Sequence, residues 1–241
     1  MKKFTKATAA LMLMMVFAMS CTKPDEPNNG GNNNDQNDSI VDHSGTLNGH
    51  DYVDLGLPSG TLWATCNVGA VMPYEYGHCF AWGETERKKD YDWDTYNWCN
   101  GVQLIKYCNK SNYGYEGFTD DLTILQSGDD AATVNWGSGW HTPTKEQWQE
   151  LIDNTASEWT TQNDVNGRVF YGNGQSLFLP AAGGSWGIGL HEDGIFGFYW
   201  SRSLLTDYPH YAWILYFSTL RCHTDYNIRC YGFSVRPVRE N

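Results

Sequence analysis

Hydrophobic and polar positions along the chain fall into three regimes. A basic start (Lys2, Lys3, Lys6) leads into an apolar run from Ala7 to Met19. Between Thr22 and Asp51 there is no aromatic residue, and Asn28 to Asn37 is almost entirely Asn, Gly, Asp and Gln. From Tyr52 onward aromatics recur every few residues, and apolar segments of strand length are separated by Gly-rich loops. That pattern predicts strands over 51–55, 60–68, 79–83, 176–179, 198–201, 210–217 and 230–238. The run Tyr211-Ala212-Trp213-Ile214-Leu215-Tyr216-Phe217 is continuous rather than alternating, and predicts a central strand buried on both faces. One helix is announced by its start: Thr144 and Gln147 form a capping box after Pro143, with Trp148, Leu151 and Ile152 on one face. A shorter helical turn is expected around 130–135. Few helices among many strands, in no alternating βα order, predict an α+β fold with a mainly antiparallel sheet.

The first two regimes read as an address and a tether. A basic n-region, a short apolar h-region and small residues before a cleavage point describe a secretory signal over residues 1–20. Ala18-Met19-Ser20-Cys21 resembles the bacterial lipobox, which implies cleavage before Cys21 and a lipid on its sulfur. Attached acyl chains would then hold the protein at a membrane. The Asn-rich stretch buries too little apolar surface to offset chain entropy, so residues 21–50 are expected to be a disordered tether. Roughly 22 such residues span about 25 Å on average. Asp25 and Glu26 resemble the acidic export cue of Bacteroidetes lipoproteins, and Asp38-Ser39-Ile40 resembles that phylum's O-glycosylation motif. The expected address is the outer membrane, with the domain at residues 51–241 exposed at the cell surface.

Composition sharpens this picture. The chain carries 16 basic and 28 acidic residues, a net charge of −12. Removing residues 1–20 takes away three lysines and no acid, leaving 13 basic residues and a net charge of −15. Such a protein is repelled by nucleic acid and by anionic membrane surfaces, so neither is expected as its main partner. Eleven Trp and 25 Gly fit short strands, tight turns and aromatic packing better than a helical bundle.

Several phrases, taken in order, resemble one family. They include Tyr52-Val53-Asp54-Leu55-Gly56-Leu57, Leu62-Trp63-Ala64-Thr65-Cys66-Asn67-Val68-Gly69-Ala70 and Phe80-Ala81-Trp82-Gly83-Glu84-Thr85. Trp140-His141-Thr142-Pro143-Thr144, Phe178-Leu179-Pro180-Ala181-Ala182-Gly183, Tyr199-Trp200-Ser201 and Gly232-Phe233-Ser234-Val235-Arg236-Pro237-Val238 follow. The series resembles the Fibrobacter succinogenes major paralogous domain over about residues 52–238. That family is in turn distantly similar to the C-type-lectin-like fold of formylglycine-generating enzymes. The resemblance implies a C-type-lectin-like fold and an envelope habitat, and no particular reaction.

No complete catalytic set appears. If Cys21 carries lipid, six cysteines remain, and an even number in an exported domain permits disulfides. Cys99 with Cys108 and Cys222 with Cys230 are the candidate pairs; the alternative is buried thiols packed as small hydrophobes. There is no Cys-x-x-Cys or His-x-x-x-His, so no metal site is expected. His141 reads as a packing or capping residue. Neither a nucleophile elbow nor a phosphate-binding or dinucleotide loop is present, so no cofactor is expected. The acidic pairs read as solvated surface. Against calcium-lectin activity, Glu26-Pro27-Asn28 lies in the tether and no Trp-Asn-Asp occurs. The surroundings of Cys222 and Cys230 do not match the copper-binding pair of the formylglycine-generating reaction.

What remains is aromatic. Tyr91-Asp92-Trp93-Asp94-Thr95-Tyr96-Asn97-Trp98 is too polar for a core strand and too aromatic for an idle loop. Rings of Trp93 and Trp98 would stack on sugar C–H faces while Asp92 and Asp94 accept hydroxyl hydrogen bonds. The loop over 183–197, with Trp186, His191, Glu192 and Phe196, falls where the C-type-lectin-like resemblance implies a ligand. The competing reading is that these rings fill an irregular core, as expected for Trp82, Trp136, Trp200 and Trp213. The expectation is a non-enzymatic, surface-anchored lipoprotein that binds a glycan or protein. The alternatives are an envelope carbohydrate-active or formylglycine-type enzyme, or a fimbrial or surface-layer subunit with a self-associating edge strand.

Overall fold

The structure, a computed structural model, describes residues 43–241. The expected signal segment, Cys21 and the expected tether up to residue 42 lie outside the described residues. Strands run over β1 (Gly45–Leu47), β2 (His50–Val53), β3 (Leu62–Ala64), β4 (Cys79–Phe80), β5 (Cys99–Asn100) and β6 (Gln103–Leu104). Then come helices α1 (Ala131–Trp136) and α2 (Lys145–Asn154). The later strands are β7 (Ala156–Gln162), β8 (Val165–Gly172), β9 (Gln175–Pro180), β10 (Gly184–Trp186), β11 (Gly189–His191), β12 (Gly197–Leu204), β13 (Tyr211–Phe217), β14 (Cys222–Ile228), β15 (Phe233–Ser234) and β16 (Val238–Arg239). Every strand pairing between these elements is antiparallel except β12 with β15. The protein is thus α+β and mainly sheet.

The central sheet has the order β14-β13-β12-β15-β4. Successive side chains of a strand point to opposite faces, and this sheet fills a core on each. Phe198 and Trp200 of β12 and Ala212 and Ile214 of β13 face one cluster, joined by Trp82, Phe233 and Ala131, Ala132 and Trp136 of α1. Tyr199 of β12 and Leu215 and Phe217 of β13 face the other, closed by Trp148 and Leu151 of α2 and by Trp63, Leu177 and Leu179.

Both helices start as expected. The Thr144 hydroxyl accepts from Gln147 N–H (3.1 Å) while the Gln147 side chain accepts from Thr144 N–H (2.8 Å), which satisfies two free donors reciprocally. Asp130 caps α1 and is fully buried. Its carboxylate accepts from Ala132 N–H and from both N–H and Oγ1 of Thr142, with the Arg202 guanidinium 3.9 Å away.

Three expectations need correction. Regular structure begins before residue 51: β1 pairs Gly45 with Tyr52 and Leu47 with His50, so residues 45–50 belong to the sheet rather than to the tether expected over 21–50. β13 is not buried on both faces along its length. It is next to the edge strand β14, and Tyr211, Trp213 and Tyr216 are half-buried. Trp82, Trp136 and Trp200 are core residues, but Trp213 is not; the Lys145 ammonium lies 3.7 Å over its ring and Tyr226 meets it edge-on.

All six described cysteines are free. β14 separates the Cys222 end from the Cys230 end. Its six residue steps at about 3.3 Å set the strand ends roughly 20 Å apart, whereas a disulfide needs Cα atoms within about 7 Å. The Cys99 thiol is aimed at the Trp93 and Tyr96 carbonyls (3.2 and 3.3 Å) and the Cys108 thiol at the Lys110 carbonyl (3.2 Å), so these two also have separate partners. Among the described residues no helix is long and apolar enough to cross a membrane.

Candidate functional site

The aromatic stretch over 91–98 folds as a single tight turn. Asp92 caps a 3-10 turn (Trp93–Thr95) by accepting from Trp93 N–H (2.5 Å), and Thr95 Oγ1 in return accepts from Asp92 N–H (3.3 Å). Asp92 and Asp94 are exposed, Trp93 and Trp98 are half-buried, and Tyr91 and Tyr96 are buried. Tyr91 and Tyr96 anchor the segment: their hydroxyls donate to the carbonyls of Cys79 and Trp82 (2.6 Å each). Burial pushes the Tyr91 phenol up to about 12, so it stays a neutral donor. A Cβ on Gly232 would lie 2.5 Å from the Tyr91 ring, which explains a glycine there without any special backbone angle.

The hairpin β10–β11 docks beside this turn. Tyr91 and Gly187 exchange backbone hydrogen bonds (2.9 and 3.1 Å), and Ser185 does the same with Gly232 (2.7 and 2.8 Å). Within the hairpin, His191 stacks on Trp186 at 4.3 Å with its Nε2 3.1 Å from the Trp186 carbonyl, and Trp186 leans on Tyr231 at 5.8 Å. The fold therefore sets the two segments singled out in the sequence side by side.

A third cluster was not foreseen. His210 meets Trp93 and Tyr113, each edge-on with ring centroids 5.0 Å apart, and all three rings are half-buried. They come from three separate stretches of chain, and one buried cation holds those stretches together. Arg229 is completely buried, with no carboxylate among its hydrogen-bond partners. Its Nε donates to the Tyr96 hydroxyl (2.9 Å), next to Trp93; its Nη1 donates to the carbonyls of Tyr107 (3.1 Å) and Pro209 (2.9 Å); its Nη2 donates to that of Lys106 (3.2 Å). The guanidinium also stacks over Trp82 at 4.7 Å. Arginine suits this position because it stays charged and presents five donors in a fixed fork. Next to Tyr113 in the chain, Asn109 and Lys110 donate to the Thr206 and Asp207 carbonyls (3.1 and 2.9 Å), which ties the Tyr113 stretch to the His210 stretch.

The other expected residues serve elsewhere. Trp98 donates its indole N–H to the Gly83 carbonyl (2.7 Å) and carries the Lys106 ammonium over its ring at 4.6 Å, so it is a strut for the turn. Glu192 is exposed in a left-handed conformation (φ 60°), and its carbonyl accepts from Ile195 and Phe196 N–H; its role is to form the turn after β11. His141 exchanges backbone bonds with Val238 (2.9 and 2.8 Å), and burial lowers its pKa.

Among the described residues no group of three His, Cys, Asp or Glu side chains could hold a metal ion. A hollow of about 440 Å³ at the β8–β9 turn is lined by Tyr171, Gly172, Gly174, Gln175 and Ser176, and the Tyr171 hydroxyl there donates to Glu158. It brings no second carboxylate opposite Glu158. No family model matches this chain, and neither a curated protein nor a solved structure does.

Proposed function

We propose that the chain is a lipid-anchored envelope protein, held through Cys21 and exposed at the surface of an outer membrane, whose C-type-lectin-like domain binds a glycan without chemistry. The carrying observation is the Trp93–His210–Tyr113 surface: three half-exposed rings fixed by the buried Arg229, with the exposed carboxylates of Asp92 and Asp94 on the same turn as Trp93. Aromatic faces pack the apolar side of a sugar ring, and adjacent acceptors take its hydroxyls. Clustered rings left partly open on a rigid base are the usual mark of a contact surface. The lipobox-like residues at Cys21, the tether composition and the family resemblance support the address.

One alternative loses support and a second narrows. A formylglycine-type reading needs Cys222 and Cys230 together, and they lie at the two ends of β14. A polymerising subunit needs an open edge; the β14 edge of the central sheet is blunted, while β7 remains the edge of the β7-β8-β9 sheet. Asp225 Oδ1 accepts from Tyr226 N–H and Asn227 Oδ1 from Ile228 N–H (2.8 Å each). Folding side chains back on an edge strand denies those donors to another chain.

The test is a screen of the full chain against host and bacterial glycans, with Trp93→Ala and Tyr113→Ala alongside. Saturable binding that either variant weakens by tenfold or more supports the reading. Binding that both variants retain moves the site elsewhere.

A further inference from the structure

The three-ring surface contains one hydrogen-bonding group whose polarity is fixed by the fold. His210 Nε2 lies 2.8 Å from the Val102 carbonyl. A carbonyl can only accept, so Nε2 must carry the proton, and in a neutral imidazole the other nitrogen, Nδ1, is then a bare acceptor. Nδ1 has no hydrogen-bond partner among the described residues, and it is not among their buried unsatisfied atoms. The ring is kept neutral by two causes: burial comes first among those that lower its pKa, and the Arg229 guanidinium beneath it acts in the same direction, against the Val102 bond, which raises it.

We propose that His210 Nδ1 is the specificity-determining acceptor of this surface, and that it takes a hydroxyl proton from a neutral pyranoside seated against Trp93 and Tyr113. The inference rests on the glycan reading above. Neutrality of the ligand follows from the charges around the ring. On the Trp93 side stand the Asp92 and Asp94 carboxylates. On the Tyr113 side the Lys110 ammonium is 3.6 Å from the Asp207 carboxylate and also donates to the Asp207 carbonyl. The β5–β6 turn presents only the Val102 carbonyl, and Arg229 is fully buried and makes four hydrogen bonds to Tyr96, Tyr107, Pro209 and Lys106. Of the two lysines that precede the turn, Lys88 is bound by Glu84 and the Thr95 carbonyl, and the exposed Lys89 is next to Asp90 in the chain. A carboxylated or sulfated glycan would meet the exposed carboxylates of Asp92 and Asp94 beside Trp93, whereas a neutral hydroxyl needs only the acceptor.

The test uses the full chain with ¹⁵N-labelled histidine, titrated by NMR, together with mannotriose, cellotriose and chitotriose as neutral probes and sialyllactose as the anionic one. His210 is expected to hold the Nε2–H tautomer and to titrate below 6.5. At least one neutral trisaccharide binds and shifts the Nδ1 resonance, and sialyllactose binds at least tenfold more weakly. Affinity then falls as pH drops through the His210 pKa, because protonation turns Nδ1 into a donor. His210→Phe loses about tenfold in affinity with unchanged thermal unfolding, and His210→Gln, which restores an acceptor without a titration, recovers binding and flattens the pH profile. An Nδ1–H tautomer, a preference for sialyllactose, or unchanged affinity in His210→Phe overturns the inference while leaving glycan binding standing. Absence of binding by any of the four probes overturns the inference and the glycan reading together.

Discussion

At the scale of single residues, Arg229 decides most. Its charge is solvated entirely by three backbone carbonyls and one phenol, all from segments that carry or adjoin the three site rings. Replacing it with Met, of comparable reach, removes the donor from three buried acceptors and from the part-buried Lys106 carbonyl, each buried one costing about 1 kcal/mol or more. Arg229→Met is therefore expected to lose about 3 kcal/mol or more in denaturant unfolding; a loss below about 1 kcal/mol would show that the guanidinium is not what ties these loops. Cysteine chemistry supplies a second prediction. Burial pushes the Cys230 thiol up to about 12 and the Cys222 thiol to about 11. Only a trace of either is thiolate at pH 8, and thiolate is the reactive form. Both should alkylate at least tenfold more slowly in the native than in the urea-unfolded chain, as read by mass spectrometry. Labelling of either at the unfolded rate would contradict the burial. Neither Arg229 nor His210 stands out in the sequence: the first is an arginine in Ile228-Arg229-Cys230 and the second a histidine after Pro209. Their roles depend on contacts with residues more than 90 positions away.

At the scale of elements, what is local was legible. The Thr144–Gln147 capping box marked the start of α2 because cap and partner are three residues apart, and the short turn expected over 130–135 is α1, capped by Asp130. Thr144→Ala should cost about 1 kcal/mol, checked by urea unfolding; no change would mean that packing of Trp148 and Leu151 alone sets the helix. β7, β8 and β14 were missed because their polar residues look like loop: β14 reads Cys-His-Thr-Asp-Tyr-Asn-Ile and is held by its full register with β13. The same strand carries a prediction on association. Replacing Asp225 and Asn227 together with Val frees the N–H groups of Tyr226 and Ile228, so the double variant should self-associate in light scattering where the parent chain stays monomeric. A monomeric double variant would mean that something else protects the edge.

At the scale of the whole molecule, the sequence pattern led to α+β and a mainly antiparallel sheet because helices are few and strands do not alternate with them. It placed Trp82, Trp136 and Trp200 in the core correctly but misplaced Trp213. Trp213 and Trp200 sit in equally apolar strings, and only the position of β13 next to the edge separates them. Titration also acts across the whole fold. Burial leads the causes that lower the pKa of His50, His78, His141 and His210 in the folded state. Each then binds a proton less readily folded than unfolded, so its contribution is present above the unfolded value near 6.5 and is lost as pH falls through the lower folded value. The urea midpoint should therefore fall between pH 7 and pH 5, and less steeply in His141→Asn, the most deeply set of the four. A flat midpoint in the parent chain would contradict the burial of these rings.

The most direct measurement of the central claim is binding of the full chain and of the double variant Trp93→Ala/Tyr113→Ala to a panel of neutral glycans, with thermal unfolding recorded for both. The account predicts saturable binding by the parent chain, lost by tenfold or more in a variant that still unfolds cooperatively. Equal binding by the two proteins, or none by the parent, would contradict it.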